Sequence, residues 1–262
     1  MTPVLLAIAL SAVFVLGTIA LALGTYWVAR YFGAPRVHEQ TEGLGGSVAF
    51  RIAGLHGLIL GLVFAQETQA FRDIQSGLLR EATVVTDIFY DLDRYGTPAA
   101  TEQRATVAAY ARVVVESDWP SLRDSGRNAP ESFQLWEESY EFVLDLEPES
   151  GRQEALRAHM LAGIHTMAEL RQARENSADV EIPLLFWIAA VGGLVFVCVP
   201  YFVFAPTRLH LTLIAMFAGY TGLVIAAIYG FSNPFSPPAA LEPTPFLRLL
   251  DGEIGAWPRS AS

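Results

Sequence analysis

The sequence contains no lysine and only one cysteine, and both scarcities limit what the protein can be. All 17 basic residues are arginine, against 27 acidic residues, which gives a formal net charge of −10. An acidic chain is a poor partner for nucleic acid, because phosphate backbones are recognised by basic surfaces. The single thiol, Cys198, lies inside an apolar stretch, so one chain can form neither a disulfide nor a cysteine-based metal site.

Motifs of common enzyme classes are also missing. The sequence has no H-E-x-x-H metal motif, no Walker loop, no G-x-S-x-G nucleophile elbow and no cysteine near a histidine. His159 and His165 lie about 240° apart around a helix, which does not favour a shared metal. Calcium binding by Asp87, Asp91 and Asp93 remains open, although no calcium-loop signature is present. We therefore expect no enzyme, no catalytic residue, no cofactor and no resident metal.

Apolar residues are abundant: they make up 52% of the chain, against 17% charged residues. They are concentrated in four stretches, 3–32, 47–65, 183–204 and 209–231. Each is long enough to cross a bilayer, since about 20 apolar residues span the hydrocarbon core. The sequence therefore predicts an all-α membrane protein with four transmembrane helices.

The remaining segments are polar, and they complete the domain plan. Residues 1–65 hold transmembrane helices 1 and 2, and residues 183–231 hold helices 3 and 4. Residues 66–182 contain 22 acidic residues against 11 arginines, and we expect them to form an acidic, soluble, antiparallel helical bundle inserted between spans two and three. Residues 232–262 form a proline-rich C-terminal tail.

The second span is expected to continue into water as one helix. Residues 66–95 follow it with no proline and no strong breaker, and Gly96 ends the pattern. Before this helix, Gly33–Gly46 is predicted to be a polar loop that holds Arg36 and His38. A helix that leaves the bilayer in this way could act as a coupling rod or as the wall of a pore.

Three further helices are expected in the bundle. Thr97 should cap a helix that Pro120 stops near Asp118. A loop over 123–129 precedes a helix from Pro130 to about Leu146, and the last helix covers 153–176. In the helix from Pro130, the expected core residues are Phe133, Trp136, Tyr140 and Val143. In the helix over 153–176, they are Leu156, Met160, Ile164, Met167 and Leu170.

The C-terminal part of the chain gives three local predictions. Pro200 should kink the third span. The short turn 205–208 should make spans three and four an antiparallel pair. Phe246–Leu250 should form a short amphipathic helix that docks either on the bundle or on the membrane surface.

Two faces of the second span differ in chemistry. Gly54, Gly57 and Gly61 recur on one face with Phe50 and Ala65. Small residues allow helices to approach closely in lipid, so this face is most simply a helix–helix contact. The alternative is a pore wall, where missing side chains leave room for ions.

The ionisable residues of this span are few. Arg51 and His56 are the only ones within 47–65, and Glu67 follows on the same side as His56. Such groups are costly in a membrane and point to a lumen or a paired partner. The alternatives are a histidine bonded to a backbone carbonyl for His56, a solvated interfacial carboxylate for Glu67, and an arginine that reaches the membrane surface for Arg51.

Several short segments resemble the bacterial bestrophin-like domain family. They are the glycine-rich LHGLILGLVFA of the second span, its polar continuation QAFRDIQSGLLREATVVTDIF, the paired C-terminal spans, and Asn233-Pro234-Phe235 followed by Pro237-Pro238. The resemblance covers most of Gly45–Leu250. The chain differs from bestrophins in its acidic soluble part and in lacking an evident calcium clasp and a dense aromatic neck.

The resemblance implies a ring of subunits, five-fold in bestrophins, with the second span around a central pore. Bulky apolar side chains form the narrow neck in that family, and Leu58, Leu62 or Val63 would do so here. The pore-lining set is then Gly54, Leu58, Gly61, Leu62 and Val63, with Gln66 and Glu67 at the mouth. Both termini and the bundle would share one side of the cell inner membrane, which we expect to be the cytoplasm.

Two functions follow from these patterns. The first is a homo-oligomeric ion channel in a lipid bilayer that passes inorganic ions. The acidic bundle favours cations, whereas the resemblance favours anions; we expect cations, and the residues leave the sign of the ion open. The second is a non-conducting membrane sensor or scaffold whose helical bundle binds a partner.

Overall fold

Helices account for all the regular secondary structure in residues 3–33, 39–178 and 182–258, the part of the chain that the computed structural model describes. In chain order they are α1 Pro3–Gly33, α2 Glu39–Tyr95, α3 Pro98–Val113, α4 Trp119–Ser125, α5 Pro130–Leu144, α6 Gly151–Ala178, α7 Leu184–Cys198, α8 Arg208–Phe231, α9 Thr244–Leu250 and α10 Glu253–Ala256. A π-helical turn, Val114–Asp118, joins α3 to α4, and a 3-10 turn, Val199–Val203, follows α7.

Four helical segments in the described ranges are long and apolar enough to cross a membrane. They are Val4–Gly33, Thr41–Tyr95, Leu184–Val203 and Arg208–Phe231. The chain divides into two compact units. Unit 1 contains Met1–Phe71 and Glu181–Ala240, and unit 2 contains Arg72–Val180 and Leu241–Ser262.

In unit 1, α8 packs mainly along α1. It also meets α7 in two buried clusters: Leu194 and Cys198 lie with Ile214 and Ala218, and Ala190 lies with Ile225 and Ile228. Because the numbers fall along α8 as they rise along α7, the predicted antiparallel pair of spans is confirmed. The α1–α8 contact is tight because Gly222 has no side chain: a Cβ there would lie 2.7 Å from the Phe14 carbonyl oxygen. Beside it, the Thr18 hydroxyl donates a hydrogen bond to the Ala218 carbonyl oxygen at 2.8 Å.

The end of α7 lies against α1 and α2 within unit 1. Pro200 falls in the 3-10 turn that ends α7, so the predicted kink is a change of helix type. Arg30 of α1 donates to the carbonyl oxygens of Phe202 and Phe204, both at 2.9 Å. These bonds satisfy carbonyl groups that the end of a helix leaves without an intrahelical donor.

Helix α2 begins earlier than the sequence predicted. The predicted loop Gly33–Gly46 is wrong from Glu39 onward, and residues 34–38, which include Arg36 and His38, lie outside the described residues. A Cβ at Gly45 would lie 3.1 Å from the Pro200 carbonyl oxygen and against Val203. Glycine at this position therefore serves close packing between helices, not a turn.

The other end of α2 follows the prediction. The helix runs without interruption to Tyr95, and Gly96 leaves it with φ of +83°. Thr97 then caps α3, because its side chain accepts a hydrogen bond from the Ala100 N–H at 3.2 Å. Pro98 occupies the first turn of α3, where a missing N–H costs nothing.

Pro120 does not stop the helical path, and this prediction was wrong. The chain passes through the π-helical turn into α4, and Pro120 lies in the first turn of α4. A proline is tolerated there because its nitrogen needs no hydrogen-bond partner. Helix α4 ends at Ser125, where Gly126 takes a left-handed conformation with φ of +71°.

The α5–α6 pair of unit 2 confirms one predicted core stripe and corrects the other. Met160, Ile164 and Met167 of α6 are buried as expected. On α5 only Val143 of the aromatic stripe is buried, and Phe133 is 42% exposed. The rings instead cover the side of α6, where the Trp136 Nε1–H donates to the Ile164 carbonyl oxygen at 2.9 Å and the Trp136 ring stacks on Tyr140.

The tail docks on the helices of unit 2, which decides between the two predicted sites. Phe246 of α9 is completely buried, and α9 packs against α3 and the π-helical turn. The Trp119 Nε1–H also donates to the Leu241 carbonyl oxygen at 2.9 Å. A short helix with one large apolar side chain is held here because both the ring and the backbone find partners.

Candidate ion pathway

The part of α2 in unit 1 has one buried face and one open face. Ala49, His56 and Leu60 are buried among the other helices of unit 1. The opposite side is exposed, and we call it the open face: Arg51, Gly54, Leu55, Leu58, Gly61 and Leu62. Helical periodicity of 3.6 residues per turn produces this division.

Each predicted pore residue has a defined place relative to this division. Leu58 and Leu62 are 59% and 63% exposed, and Gly54 has no atom within 4 Å of where a Cβ would lie. Val63 lies on the other side, packed against the cluster of Leu60, Ala190, Ile225 and Ile228. The glycine face therefore makes no helix–helix contact at Gly54 within the described chain.

An apolar groove of about 360 Å³ lies between α2 and α8. Gly57, Gly61 and Phe64 line it from α2, and Tyr220 and Val224 line it from α8. Part of the small-residue face thus borders a groove. No glycine of this face, from Gly54 to Gly61, has an atom within 4 Å of its Cβ position.

His56 is buried between α2 and α7, with only 3% of its surface exposed. A Cβ on Gly193 would overlap its imidazole ring, so glycine on α7 makes room for the histidine. Within the described residues neither ring nitrogen has a hydrogen-bond partner. The predicted bond from His56 to a backbone carbonyl is therefore wrong.

The other ionisable positions lie nearer the surface of α2. Glu67 is half-buried and Gln66 is exposed. Arg51 is exposed, and it has no hydrogen bond or ion pair with any described residue. The surroundings of Arg51 on α2 are apolar and exposed, with Phe50 79% and Leu55 63% accessible.

Unit 2 contains a buried ionic cluster that the sequence analysis missed. Arg174 of α6 donates through Nη1 to both carboxylate oxygens of Glu81, at 2.8 and 2.6 Å, and through Nη2 to Asp118. The Tyr110 hydroxyl donates to Glu81 Oε1 at 2.6 Å. All four side chains are buried. The available signal was Glu81 itself, which lies at helical spacing among the apolar positions of α2.

Burial controls the ionisation of this cluster. It raises the pKa of Asp118, although Arg174 acts in the opposite direction. Burial followed by the charge of Glu81 raises the pKa of the Tyr110 hydroxyl well above its usual range, which keeps the hydroxyl protonated as a donor. Burial tends to lower the pKa of Arg174, but Glu81 and Asp118 outweigh it and raise the pKa. Two carboxylates thus share one permanent cation.

Two of the three aspartates considered for calcium, Asp91 and Asp93, are engaged in ion pairs. Asp91 accepts from Arg94 at 2.9 Å and lies 2.6 Å from the His159 Nδ1. Asp93 accepts from Arg104 at 2.8 Å. Across the described ranges, no group of three or more His, Cys, Asp or Glu side chains is arranged to hold a metal ion.

Arg104 joins the bundle to the tail. Its guanidinium lies over the rings of both Phe89 and Trp257, 4.0 and 3.9 Å from their centroids, and it pairs with Glu253 at 2.8 Å. Stacking of this kind suits a planar, delocalised cation. The arrangement attaches α10 to the side of α3.

The Bestrophin-like domain family matches residues 16–246, and the chain belongs to that family. Two solved structures are similar to it. A membrane protein with a proline-to-alanine substitution matches over 92% of this chain and 97% of its own, with a TM-score of 0.62 and 14% identity. A bacterial bestrophin homolog from Klebsiella pneumoniae, with a tyrosine-to-alanine substitution, matches over 90% of this chain and 98% of its own, with a TM-score of 0.51 and 16% identity. No curated protein matches the chain.

At these identities the solved structures show the fold alone. Membership of the family, together with four helices long and apolar enough to span a membrane, indicates a membrane protein. This agrees with the resemblance found in the sequence. It says nothing about which residues line a pathway or which ion passes.

Proposed function

We propose that the protein is a homo-oligomeric ion channel whose pore is lined by the open face of α2. The observation that carries the proposal is the exposure of Leu58 and Leu62 beside the uncovered Gly54. The opposite face of α2 is already packed inside unit 1. A helix that is packed on one side and bears glycine on the other is suited to meet copies of itself around an axis.

The proposed neck consists of Leu58 and Leu62; Val63, which packs inside unit 1, is left out of it. Rings of such side chains make an apolar constriction, which can close by excluding water. Gln66 and Glu67 follow at the end of the span and form the proposed mouth. Their polar groups would meet ions as these regain water.

The proposed topology has four spans, with both termini and the 66–182 helical bundle on the cytoplasmic side of the cell inner membrane. Residues 1–65 and 183–231 supply the spans in pairs. The tail 232–262 belongs on the same side, because its helix α9 packs within unit 2. A ring of five copies is proposed from the resemblance to bestrophins.

Planar-bilayer recording of the purified full-length protein tests the proposal. We expect discrete conductance steps that depend on added protein, with empty bilayers and heat-denatured protein as controls. Light scattering in detergent would measure the number of copies. A well-folded assembly that never conducts, across voltage and pH, would overturn the channel and favour the non-conducting sensor or scaffold.

A further inference from the structure

Arg51 shares the open face with the proposed neck. Residues 51, 55, 58 and 62 are spaced by four, three and four positions, the spacing that places side chains on one line along a helix. All four are exposed. Arg51 therefore lies on the same side of α2 as Leu58 and Leu62.

The position of Arg51 along the span is also defined by contacts. A Cβ on Gly46 would lie 3.5 Å from the Phe204 ring, which follows directly after the third candidate span. Arg51 lies five residues further along α2, about 7.5 Å along the axis. His56, against Gly193 of α7, lies deeper in unit 1. Arg51 is thus inside the apolar segment, between its end and the buried histidine.

A guanidinium at such a depth needs water or a counter-charge. Charged groups inside a membrane are expensive when they face lipid, and they mark ion pathways. Arg51 has neither a hydrogen bond nor an ion pair with the described residues. Arginine does not lose its proton in proteins, so the charge is present at every working pH.

We propose that Arg51 binds a small inorganic anion of the chloride class and gives the pore its preference for anions. The inference rests on the proposed channel, because copies around the axis turn one arginine into a ring of positive charge. Such a ring attracts anions and repels cations at the entrance to an apolar neck. This anion preference differs from the cation preference expected from net charge. The negative charge comes from residues 66–182, and it affects ion concentrations outside the span.

The first test is the reversal potential of the full-length channel in a sodium chloride gradient. We expect anion preference in the native protein, retained in Arg51→Lys. Arg51→Gln should lower the chloride-to-sodium permeability ratio several-fold, and Arg51→Glu should invert it. Arg208→Gln is the matched control, because Arg208 is also exposed and starts α8 beside the turn after Phe204. Equal effects of the two Gln variants would reduce Arg51 to a surface charge and overturn the proposal.

A second measurement does not require conduction. The Tm of the purified protein is compared in chloride, bromide and gluconate at constant ionic strength. We expect halide to raise the Tm of the native protein and of Arg208→Gln but not that of Arg51→Gln, with similar values for all three in gluconate. If halide raises the Tm but no conductance is recorded, the channel proposal is rejected and the anion site is supported. If the protein conducts with cation preference and halide does not raise the Tm, the anion site is rejected and the channel proposal is supported.

Discussion

Glu81 and Arg174 form an ion pair at 2.6 Å with 1% and 2% of their side-chain surfaces exposed. The pair joins α2 to α6 in unit 2, and Asp118 adds a second carboxylate from the π-helical turn. π-helical turns occur often at functional positions of helices. Here the turn places Asp118, 0% exposed, at the same guanidinium.

Replacing Arg174 by leucine should strongly destabilise the protein. The substitution leaves two carboxylates buried without a cation, and breaking a buried pair in this way costs about 3–5 kcal/mol. Chemical unfolding followed by circular dichroism would measure the loss. Arg152→Leu on the same helix is the control, because Arg152 is exposed, and it should change stability by less than about 0.5 kcal/mol. Equal stability of the two variants would contradict the structural role of the cluster.

The cluster should also make stability depend on pH. Burial raises the folded-state pKa of Asp118 above its ordinary value of 3.8, so the folded state holds this proton more firmly than the unfolded state. The contribution is complete below pH 3.8 and is lost as pH rises through the folded pKa. Asp118→Asn removes the titrating group. The Tm of this variant should therefore improve relative to the native protein as pH rises above 3.8. A relative decline would mean that Arg174, not burial, controls the carboxyl group.

Gly222→Ala should loosen the packing of α8 on α1. The added methyl would lie 2.7 Å from the Phe14 carbonyl oxygen and 2.9 Å from Val15 Cα, which are backbone atoms that cannot rotate away. Overpacking of this kind costs about 1–3 kcal/mol. Gly17→Ala on α1 is the matched control, since no atom lies within 4 Å of its Cβ position. Thermal unfolding in detergent should show a lower Tm for Gly222→Ala alone.

Arg104→Ala should release the tail from unit 2. The variant loses two ring contacts and the ion pairs to Asp93 and Glu253, and a desolvated cation–π contact alone is worth about 2 kcal/mol. Chymotrypsin should then cut faster after Phe246, as mass spectrometry of timed digests would show. Arg248→Ala removes an exposed arginine of α9 and should leave the rate unchanged. An unaltered rate in Arg104→Ala would show that the other contacts of the tail are sufficient to hold it: burial of Phe246 and the hydrogen bonds from Trp119 and Arg112.

Leu62→Ala should raise the single-channel conductance, on the proposal that the open face of α2 lines the pore. A smaller side chain widens an apolar constriction and lowers its tendency to exclude water. Leu185→Ala provides the comparison, because Leu185 is 75% exposed but lies on α7. If both variants conduct like the native protein in planar bilayers, Leu62 is not at the narrowest point.

The features that could be predicted from the sequence are those with local causes. The uninterrupted path of α2 follows from the absence of proline, and the start of α3 follows from Thr97 and Pro98, whose capping chemistry acts within one turn. The errors at Gly45 and Pro120 have the opposite origin. Glycine and proline were interpreted as breaks, whereas one serves helix packing and the other sits in a first turn where proline is tolerated.

In the candidate site, too, the features that depend on tertiary packing could not be predicted from the sequence. The resemblance to bestrophins pointed to Leu58, Leu62 or Val63 as the neck; the structure leaves Leu58 and Leu62 exposed and packs Val63 inside unit 1. The buried cluster could not be predicted, because Glu81 and Arg174 are 93 residues apart and only tertiary packing brings them together. Phe133 was misassigned to the core because helical spacing identifies a stripe but not whether a neighbour covers all of it.

The docking of α9 and α10 predicts the effect of truncating the C-terminus of the protein. A premature stop codon before Leu241 would remove Phe246 from its burial site and Trp257 from the Arg104 guanidinium. The truncated protein would expose the apolar surface of α3 and the π-helical turn that α9 normally covers. Chaperones and proteases recognise exposed apolar surface of this kind. Such truncations should behave as folding defects and be cleared from the cell, although they leave every residue of the proposed pore in place.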